Sequence, residues 1–385
     1  MSPVTSSEIR RAIVTAFPEA TSVRGTAWIV GGALRDALLG RASLDIDITV
    51  DGAEGVARDF AERHGARLIE LGRERFVSWR VVLGRRSYDF TEVTRGSIED
   101  DLGRRDFTIN AMALPLEGAA RLIDPFGGAA DVERRLVRMV RAENLEDDPL
   151  RVLKAVRMAS IFGFELDPET ARVSREVAPR LRDVAVERVA SELEMILSTG
   201  EPSRAAKAFA LTGTGPALFG RDIPPLYAKV TPGDAAVALA SIFRDEPDAL
   251  RVTAEALRLP GILVADAGAV LAFDRALDEA IAKGDLDVLL YQTGELGARR
   301  GASLRLALGD AESAARVKER ISTRGEGLFS IEPLLGGLEI AELAGVAPGP
   351  ILGQLKQELI LAQVRGEVTT RDAAEAWLRG RASEP

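Results

Sequence analysis

WIVGGALRDALLGRASLDIDITV, residues 28–50, packs a turn, a helix and two strands into a short stretch, and each part constrains the next. An apolar run, Trp28-Ile29-Val30, reads as a strand and ends in Gly31-Gly32. A helix-like stretch follows, opening with Arg35 and Asp36. A second strand then presents Asp45 and Asp47, separated only by Ile46. Alternate side chains of a strand share a face, so the two carboxylates point the same way. Close anions repel unless a cation sits between them. Mg²⁺ with a triphosphate fits that position, because Mg²⁺ takes one or two carboxylates together with phosphate oxygens.

Each of these features has a plainer reading. Asp45 and Asp47 could lie on a solvated strand edge or in a calcium loop. Ile46 and Ile48 on the opposite face favour a half-buried strand over a loop, and an inward-facing charge needs a reason. Gly31-Gly32 alone is a tight turn. The functional alternative is close approach of backbone N–H groups to a phosphate, with Arg35 one turn on as counter-charge.

Strand and helix signals continue on both sides. Ser6 to Phe17 and Val56 to His64 read as helices. Arg67 to Leu71, Val77 to Leu83 and Ser87 to Val93 read as strands, the last two joined by a turn near Gly84. Ala111 to Pro115 and Arg121 to Ile123 add extended segments. From Val132 the pattern is helical. Asp131 to Val140 is short and basic, and Pro149 to Phe162 is a strong helix with Asp147 or Asp148 at its N-cap. Pro168 to Ala178 and Val186 to Leu197 follow, then a break at Gly200-Glu201-Pro202. Residues 203–385 are rich in Ala and Leu at helical spacing, without repeats or low-complexity segments. The expected class is α+β: a small mixed-sheet head followed by an all-α remainder. The expected boundaries are 1–138, 139–200 and 201–385.

Composition narrows the chemistry. The 385 residues are 46% hydrophobic and 28% charged, enough for about two or three domains. There is no cysteine and one histidine, His64. Disulfides, thiolate zinc sites, cysteine nucleophiles and multi-histidine metal sites are therefore excluded, and a histidine-based triad is disfavoured. MSPVTSSEIRR lacks the apolar core of a secretory signal and no long apolar span follows, so the expected location is the cytoplasm, with no membrane partner. The net charge of −9 argues weakly against nucleic-acid binding, but it constrains long-range steering and leaves room for a local basic groove.

Three further segments carry candidate residues. In RRSYDFTEV, Asp89 completes a carboxylate triad if its strand neighbours that of Asp45 and Asp47, and Glu92 is a less favoured substitute. Otherwise Asp89 is a surface strand residue. In SIEDDLGRRDFTINAMA, residues 97–113, Arg104, Arg105 and Asp106 lead into an apolar run that contains Asn110. This is either a charged loop feeding a core helix or a site in which Arg105 binds triphosphate. Asp106 would there accept a ribose hydroxyl or orient an arginine. In EDDPLRVLKAVRMASIFGF, residues 146–164, Arg151, Lys154 and Arg157 are three apart, and Asp148 precedes Arg151 by three. A solvated amphipathic face is the plain reading. The alternative is a base reader: Asp accepts from the exocyclic amine of cytosine or adenine, and Arg donates to the neighbouring ring nitrogen.

Together GGALRD with the DID strand, RRDFTINAMA, DDPLRVLKAVRM and VERVASELEMIL (residues 186–197) resemble, in order, the motifs of the bacterial-type (class II) tRNA nucleotidyltransferase and poly(A) polymerase family. The resemblance covers roughly residues 28–200. It implies a nucleotidyltransferase head, a helical neck that recognises the base, and a helical body and tail that bind tRNA. It implies nucleotidyl transfer from an NTP to an RNA 3′ end, with Mg²⁺ in a two-metal mechanism. The family's metal carboxylates match Asp45 and Asp47, with Asp89 third. Its nucleotide-binding positions match Gly32, Arg35, Arg105, Asp148, Arg151, Lys154 and Arg157; Gly31 and Asp106 join them from the residue reading above. Two positions depart: the motif's Glu-Asp is here Asp147-Asp148, and Lys154 stands where Arg is frequent, keeping the charge but losing the fork. The connection between the Asp89 strand and RRDFT is shorter than the flexible loop of full CCA-adding members. In this family a shortened loop goes with CC addition. The subclass expected is therefore a CC-adding enzyme using CTP on the tRNA 3′ end. Complete CCA addition with ATP as well is the alternative, and poly(A) polymerase a more distant one. Self-association through the helical C-terminal half is left open.

Overall fold

A computed structural model describes residues 5–73, 76–93, 97–118 and 121–382. The chain folds as two compact units, Met1–Ile196 with Lys207–Asp222, and Leu197–Ala206 with Ile223–Pro385.

The first unit begins with α1 (Ser6–Ala16), β1 (Ala27–Val30), α2 (Gly32–Leu38), β2 (Asp45–Val50) and α3 (Ala53–His64). β3 (Arg67–Arg73), β4 (Phe76–Leu83), β5 (Arg86–Glu92), α4 (Ile98–Leu102), β6 (Ala113–Pro115) and α5 (Gly128–Arg134) follow. The six strands form one sheet in the order β3-β4-β5-β2-β1-β6. Only the β2–β5 pairing is parallel, so the sheet is mixed, as expected.

The pleat separates two chemistries. Ile46, Ile48 and Val50 of β2 share a face with Tyr88 and Phe90 of β5 and Val81 of β4, and all six are buried. α3 covers this face: the Phe60 ring lies 5.0 Å from that of Tyr88 and 5.2 Å from that of Phe90. Each such aromatic contributes about 1.5–3 kcal/mol by leaving water. The opposite face carries Asp45, Asp47 and Thr49 beside Ser87, Asp89 and Thr91. Towards β1 and β6 that second face is covered again, where Trp28, Val30 and Ala113 pack with Ile98 and Leu102 of α4.

The remainder of the unit contains β7 (Leu136–Val137), α6 (Ala142–Asp147), α7 (Leu150–Phe162), β8 (Glu165–Leu166), α8 (Pro168–Val177), α9 (Val186–Thr199), α10 (Pro202–Thr212) and α11 (Thr214–Phe219), with α9 and α10 each running across the unit division. Three local expectations are corrected. The helix expected over 131–140 stops at Arg134, because Arg135 turns left-handed (φ 58°) and Leu136–Val137 pairs in parallel with Glu165–Leu166. No side chain caps α7: Pro149 occupies the N-cap position, while Asp148 is extended and bonds elsewhere. The extended segment expected over 111–115 begins only at Ala113, after a 3₁₀ turn at Thr108–Asn110, and 121–123 contributes a single bridge, Ile123 to Ala113.

The second unit is helical: α12 (Ala235–Phe243), α13 (Pro247–Ala256), α14 (Gly261–Lys283), α15 (Leu286–Leu308), α16 (Ala311–Arg324), α17 (Gly337–Ala344), α18 (Pro350–Arg365) and α19 (Arg371–Ala382). Phe273 and Leu277 of α14 pack with Leu290, Ala298 and Ala302 of α15 and Val317 and Ile321 of α16. A Cβ on Gly301 would lie 2.1 Å from the Phe273 ring, so glycine there sets the approach of α14 and α15. No helix among the described residues is long and apolar enough to cross a membrane.

Candidate active site

One row of the sheet carries the acidic centre. Asp47 of β2 lies directly beside Asp89 of β5, and Asp89 directly opposite Arg80 of β4. Residues paired this way project to the same face. Asp89 therefore joins the Asp45 and Asp47 face, as the sequence reading required, and Glu92 does not: its carboxylate accepts from the Gly52 and Ala53 N–H groups at 2.9 Å. Arg80 grips both Asp89 oxygens, at 2.7 and 2.6 Å. Asp45 accepts from the Ser87 hydroxyl on the neighbouring strand. Burial raises the Asp47 pKa; Arg105 pulls it back and the charges of Asp89 and Asp45 add to the rise.

Gly31 sits at the edge of this row with φ 76° and ψ −138°, a conformation open to glycine alone. A Cβ there would meet Arg105 Nη1 at 2.9 Å and Asp47 Oδ2 at 3.1 Å. The Gly31 N–H is not available to a phosphate in this structure, since it donates to the Met112 carbonyl. Arg105 is tethered by Nε and Nη2 to Asp101 Oδ2 at 3.3 and 3.1 Å, which leaves Nη1 on the Gly31 and Asp47 side.

Arg35 is placed differently from the counter-charge expected. It is buried, with Nε and Nη2 on Asp36 Oδ1 at 3.0 and 2.9 Å and Nη1 on Asn110 Oδ1 at 2.7 Å. Its guanidinium stacks 4.2 Å from the Phe162 ring of α7. Desolvation lowers its pKa and the Asp36 carboxylate offsets that. Asp106 accepts from Asn110 Nδ2 at 3.0 Å, so it orients an arginine at one remove, through Asn110. Arg35 thus ties the head to α7 and does not face solvent.

On α7 the residues around Arg151, Lys154 and Arg157 are buried (Val152, Leu153, Ala155, Val156, Met158, Ala159), so these three cations mark the helix's accessible face. Asp148 and Arg151 do not pair with each other. Asp148 accepts from Arg188 of α9 at 2.9 Å, and Arg151 donates to the Asn144 carbonyl at 3.1 Å. Arg157 donates to the buried Glu192 of α9 at 2.6 Å. Lys154 makes no hydrogen bond or ion pair among the described residues. Asn144 Nδ2 in turn holds the carbonyls of Gly103 and Arg105, at 3.0 and 2.8 Å. A bonded chain thus runs from Arg105, beside Asp47, through Asn144 to Arg151.

Five side chains that hold the site together were absent from the sequence reading: Arg80, Asp101, Asn144, Arg188 and Glu192. A two-residue hairpin at Gly84-Arg85 would have placed Arg80 opposite Asp89, so that signal was available. Arg188 and Glu192 stand four apart within VERVASELEMIL, on one helix face, but nothing local names their partners.

The donors at the acidic centre are all oxygens, which suits a hard cation such as Mg²⁺. No group of three or more Asp, Glu, His or Cys among the described residues closes into a chelating set by itself. The remaining ligands would have to come from a substrate and water, in keeping with Mg²⁺ bound by one or two carboxylates plus phosphates.

A family model described as the poly A polymerase head domain matches residues 27–96 and 78–138. Another, described as the "Probable RNA and SrmB-binding site of polymerase A", matches residues 163–219. A CC-adding tRNA nucleotidyltransferase of Synechocystis sp. is 31% identical over 91% of this chain and 92% of its own length. The chain belongs to the bacterial-type tRNA nucleotidyltransferase and poly(A) polymerase family. Within that family it is an enzyme, a tRNA nucleotidyltransferase. An A-adding tRNA nucleotidyltransferase of Deinococcus radiodurans is 32% identical over 92% of this chain and 95% of its own. The crystal structure of the Bacillus stearothermophilus CCA-adding enzyme in complex with CTP superposes with a TM-score of 0.75, at 27% identity, over 97% of each chain. Relatives of one family thus differ in which nucleotides they add.

Proposed function

We propose that this nucleotidyltransferase adds two C residues to the tRNA 3′ end from CTP, without a template and with release of pyrophosphate. The observation that carries the CC reading is the short connection between β5, which ends at Glu92, and α4, which begins at Ile98; residues 94–96 within it lie outside the described residues. In the family a shortened connection at this point goes with CC addition. Complete CCA addition, with ATP as a second substrate, is the alternative.

In this reading Asp45 and Asp47 hold Mg²⁺, with Asp89 third in the row. Bound there, Mg²⁺ would supply charge for activating the RNA 3′-hydroxyl and for the leaving pyrophosphate. The protein's own groups do the positioning. Arg105, held by Asp101 through Nε and Nη2, offers Nη1 beside Gly31 to the triphosphate. Gly32, the first residue of α2, contributes a backbone N–H to the phosphates in this reading. Asp148 and Arg151 read the base edge, Asp by accepting from the exocyclic amine and Arg by donating to the ring nitrogen. Lys154 and Arg157 share their helix face and carry positive charge towards the nucleotide. Arg35, through Asn110 and Phe162, keeps that helix registered with the head. Residues 1–138 act as the catalytic head, 139–200 as the neck and 201–385 as the tRNA-binding body and tail. No histidine is required, in keeping with a chain whose single histidine, His64, lies on α3 against the opposite sheet face.

The test is extension of tRNA transcripts that end at the discriminator base, after the first C and after the second C, with CTP and ATP supplied separately and the products sequenced. Arrest after two C residues supports the reading. Addition of A to the transcript that already ends in CC converts it to the CCA alternative, or to A addition alone if CTP is never used; long A tracts would indicate a poly(A) polymerase. Asp45→Ala should abolish every transfer with the fold intact.

A further inference from the structure

Arg80 is the one member of the catalytic row to which the sequence motifs assign nothing. It stands opposite Asp89 on the neighbouring strand and donates from Nε and Nη2 to the two carboxylate oxygens separately. This fork is the strongest geometry available to a guanidinium and a carboxylate. The Asp89 side chain is 13% exposed and that of Arg80 39%, so solvent screens the pair less than an ordinary surface ion pair.

We propose that Arg80 is a positioning residue that withholds Asp89 from divalent cations, so that metal loads with the nucleotide and not before it. The inference rests on the nucleotidyltransferase reading of Asp45 and Asp47. Mg²⁺ demands near-ideal octahedral geometry and gives up its water reluctantly. A guanidinium already seated on both Asp89 oxygens opposes that exchange by charge and by occupancy. Arg105 Nη1 adds a second positive group beside Asp47. Arg80 and Arg105 offset part of the negative charge of Asp45, Asp47 and Asp89, which weakens the field felt by a hydrated dication. A triphosphate reverses this balance: it brings several anionic oxygens, draws Arg105 to itself and supplies the missing ligands. A tethered Arg80 keeps Asp89 aimed along the row throughout, since the hairpin register fixes where both side chains start.

A direct metal titration separates this role from that of a purely stabilising cross-strand bridge. Mn²⁺ is titrated into the full-length, nucleotide-free protein at pH 8, with free Mn²⁺ followed by electron paramagnetic resonance. Arg80→Met should bind Mn²⁺ at least about tenfold more tightly than the wild type, which is about 1.4 kcal/mol. Arg80→Met combined with Asp89→Asn should return to the wild-type value, showing that the effect runs through Asp89. Arg80→Lys keeps the charge, loses the fork and should fall between; it decides the matter if the Met variant is poorly folded by circular dichroism. Unchanged or weaker Mn²⁺ binding in both Arg80 variants overturns the proposal. A parallel titration with CTP present tests the parent reading: Asp45→Asn should abolish the CTP-dependent binding. If it does while the Arg80 variants bind like the wild type, only the role of Arg80 falls. If CTP-dependent binding survives Asp45→Asn, the site assignment falls and takes the proposal with it.

Discussion

Gly31→Ala is the sharpest single perturbation the site offers, because its two consequences differ in size and can be measured apart. The first is on folding. At φ 76° and ψ −138° a Cβ is strained whatever the space around it, at a cost of about 1–3 kcal/mol. Domains of this size are typically stable by roughly 5–15 kcal/mol, so the variant should remain folded. The second is on the site. The new methyl would start 2.9 Å from Arg105 Nη1 and 3.1 Å from Asp47 Oδ2, inside normal contact for both. Arg105 can swing, being the end of a long side chain, but Asp47 sits on a strand paired on both sides. Either displacement disturbs the groups assigned to metal and triphosphate, and a misplacement of about 1 Å costs on the order of 10²-fold in rate. The expected result is a modest loss in a urea unfolding series beside a loss of about a hundredfold in kcat/KM for CTP incorporation on a tRNA transcript. Gly55→Ala on α3 is the control, because Gly55 has no positive φ and an added Cβ meets nothing within 4 Å. Transfer within threefold of wild type by Gly31→Ala would refute the packing argument. A loss of rate matched by an equal loss of folded protein would refute the separation of the two effects.

Other expectations follow from the same geometry. Burial holds the Asp47 pKa above its ordinary 3.8, so its ionised form costs stability at neutral pH, and that cost fades as pH falls through the raised value. Asp47→Asn should thus raise the melting temperature of the nucleotide-free protein at pH 8, lose that advantage towards pH 4, and have no transferase activity; a lower melting temperature at pH 8 would contradict it. Glu192→Ala should destabilise by about 3 kcal/mol, because it leaves Arg157 without its partner. Arg188→Ala, one turn earlier, removes a more exposed pair and should cost no more than about 1 kcal/mol, while loosening Asp148 and lowering CTP over UTP selectivity; equal stability losses in the two would argue against this division. Gly128→Ala should destabilise by about 1–3 kcal/mol, since its Cβ would fall 2.1 Å from the Thr108 carbonyl oxygen, and a melting curve unchanged from wild type would show that the 3₁₀ turn yields freely.

Much of this was legible from residues that lie close together in the chain. The alternation of Asp45-Ile46-Asp47-Ile48 sets both acids on one face, because the two-residue period of a strand is a local property. The same period places Tyr88 and Phe90 opposite Ser87 and Asp89. Gly31-Gly32 marks the turn, and the spacing of Arg151, Lys154 and Arg157 marks one side of a helix. What local spacing cannot supply is the partner of a side chain. The parallel register that sets Asp47 beside Asp89 spans a helix and two strands, and only the assembled sheet decides it. Arg35 reads as the counter-charge to a phosphate from its position in the chain, yet packing of α7 buries it on Phe162, where Asp36 and Asn110 accept its N–H groups. Asp148 reads as a helix cap, yet Arg188, forty residues on, takes the carboxylate and α7 starts without one. Periodicity assigns a face to each residue. Which charge finds which depends on desolvation and on elements brought together from a distance, and that belongs to the folded chain.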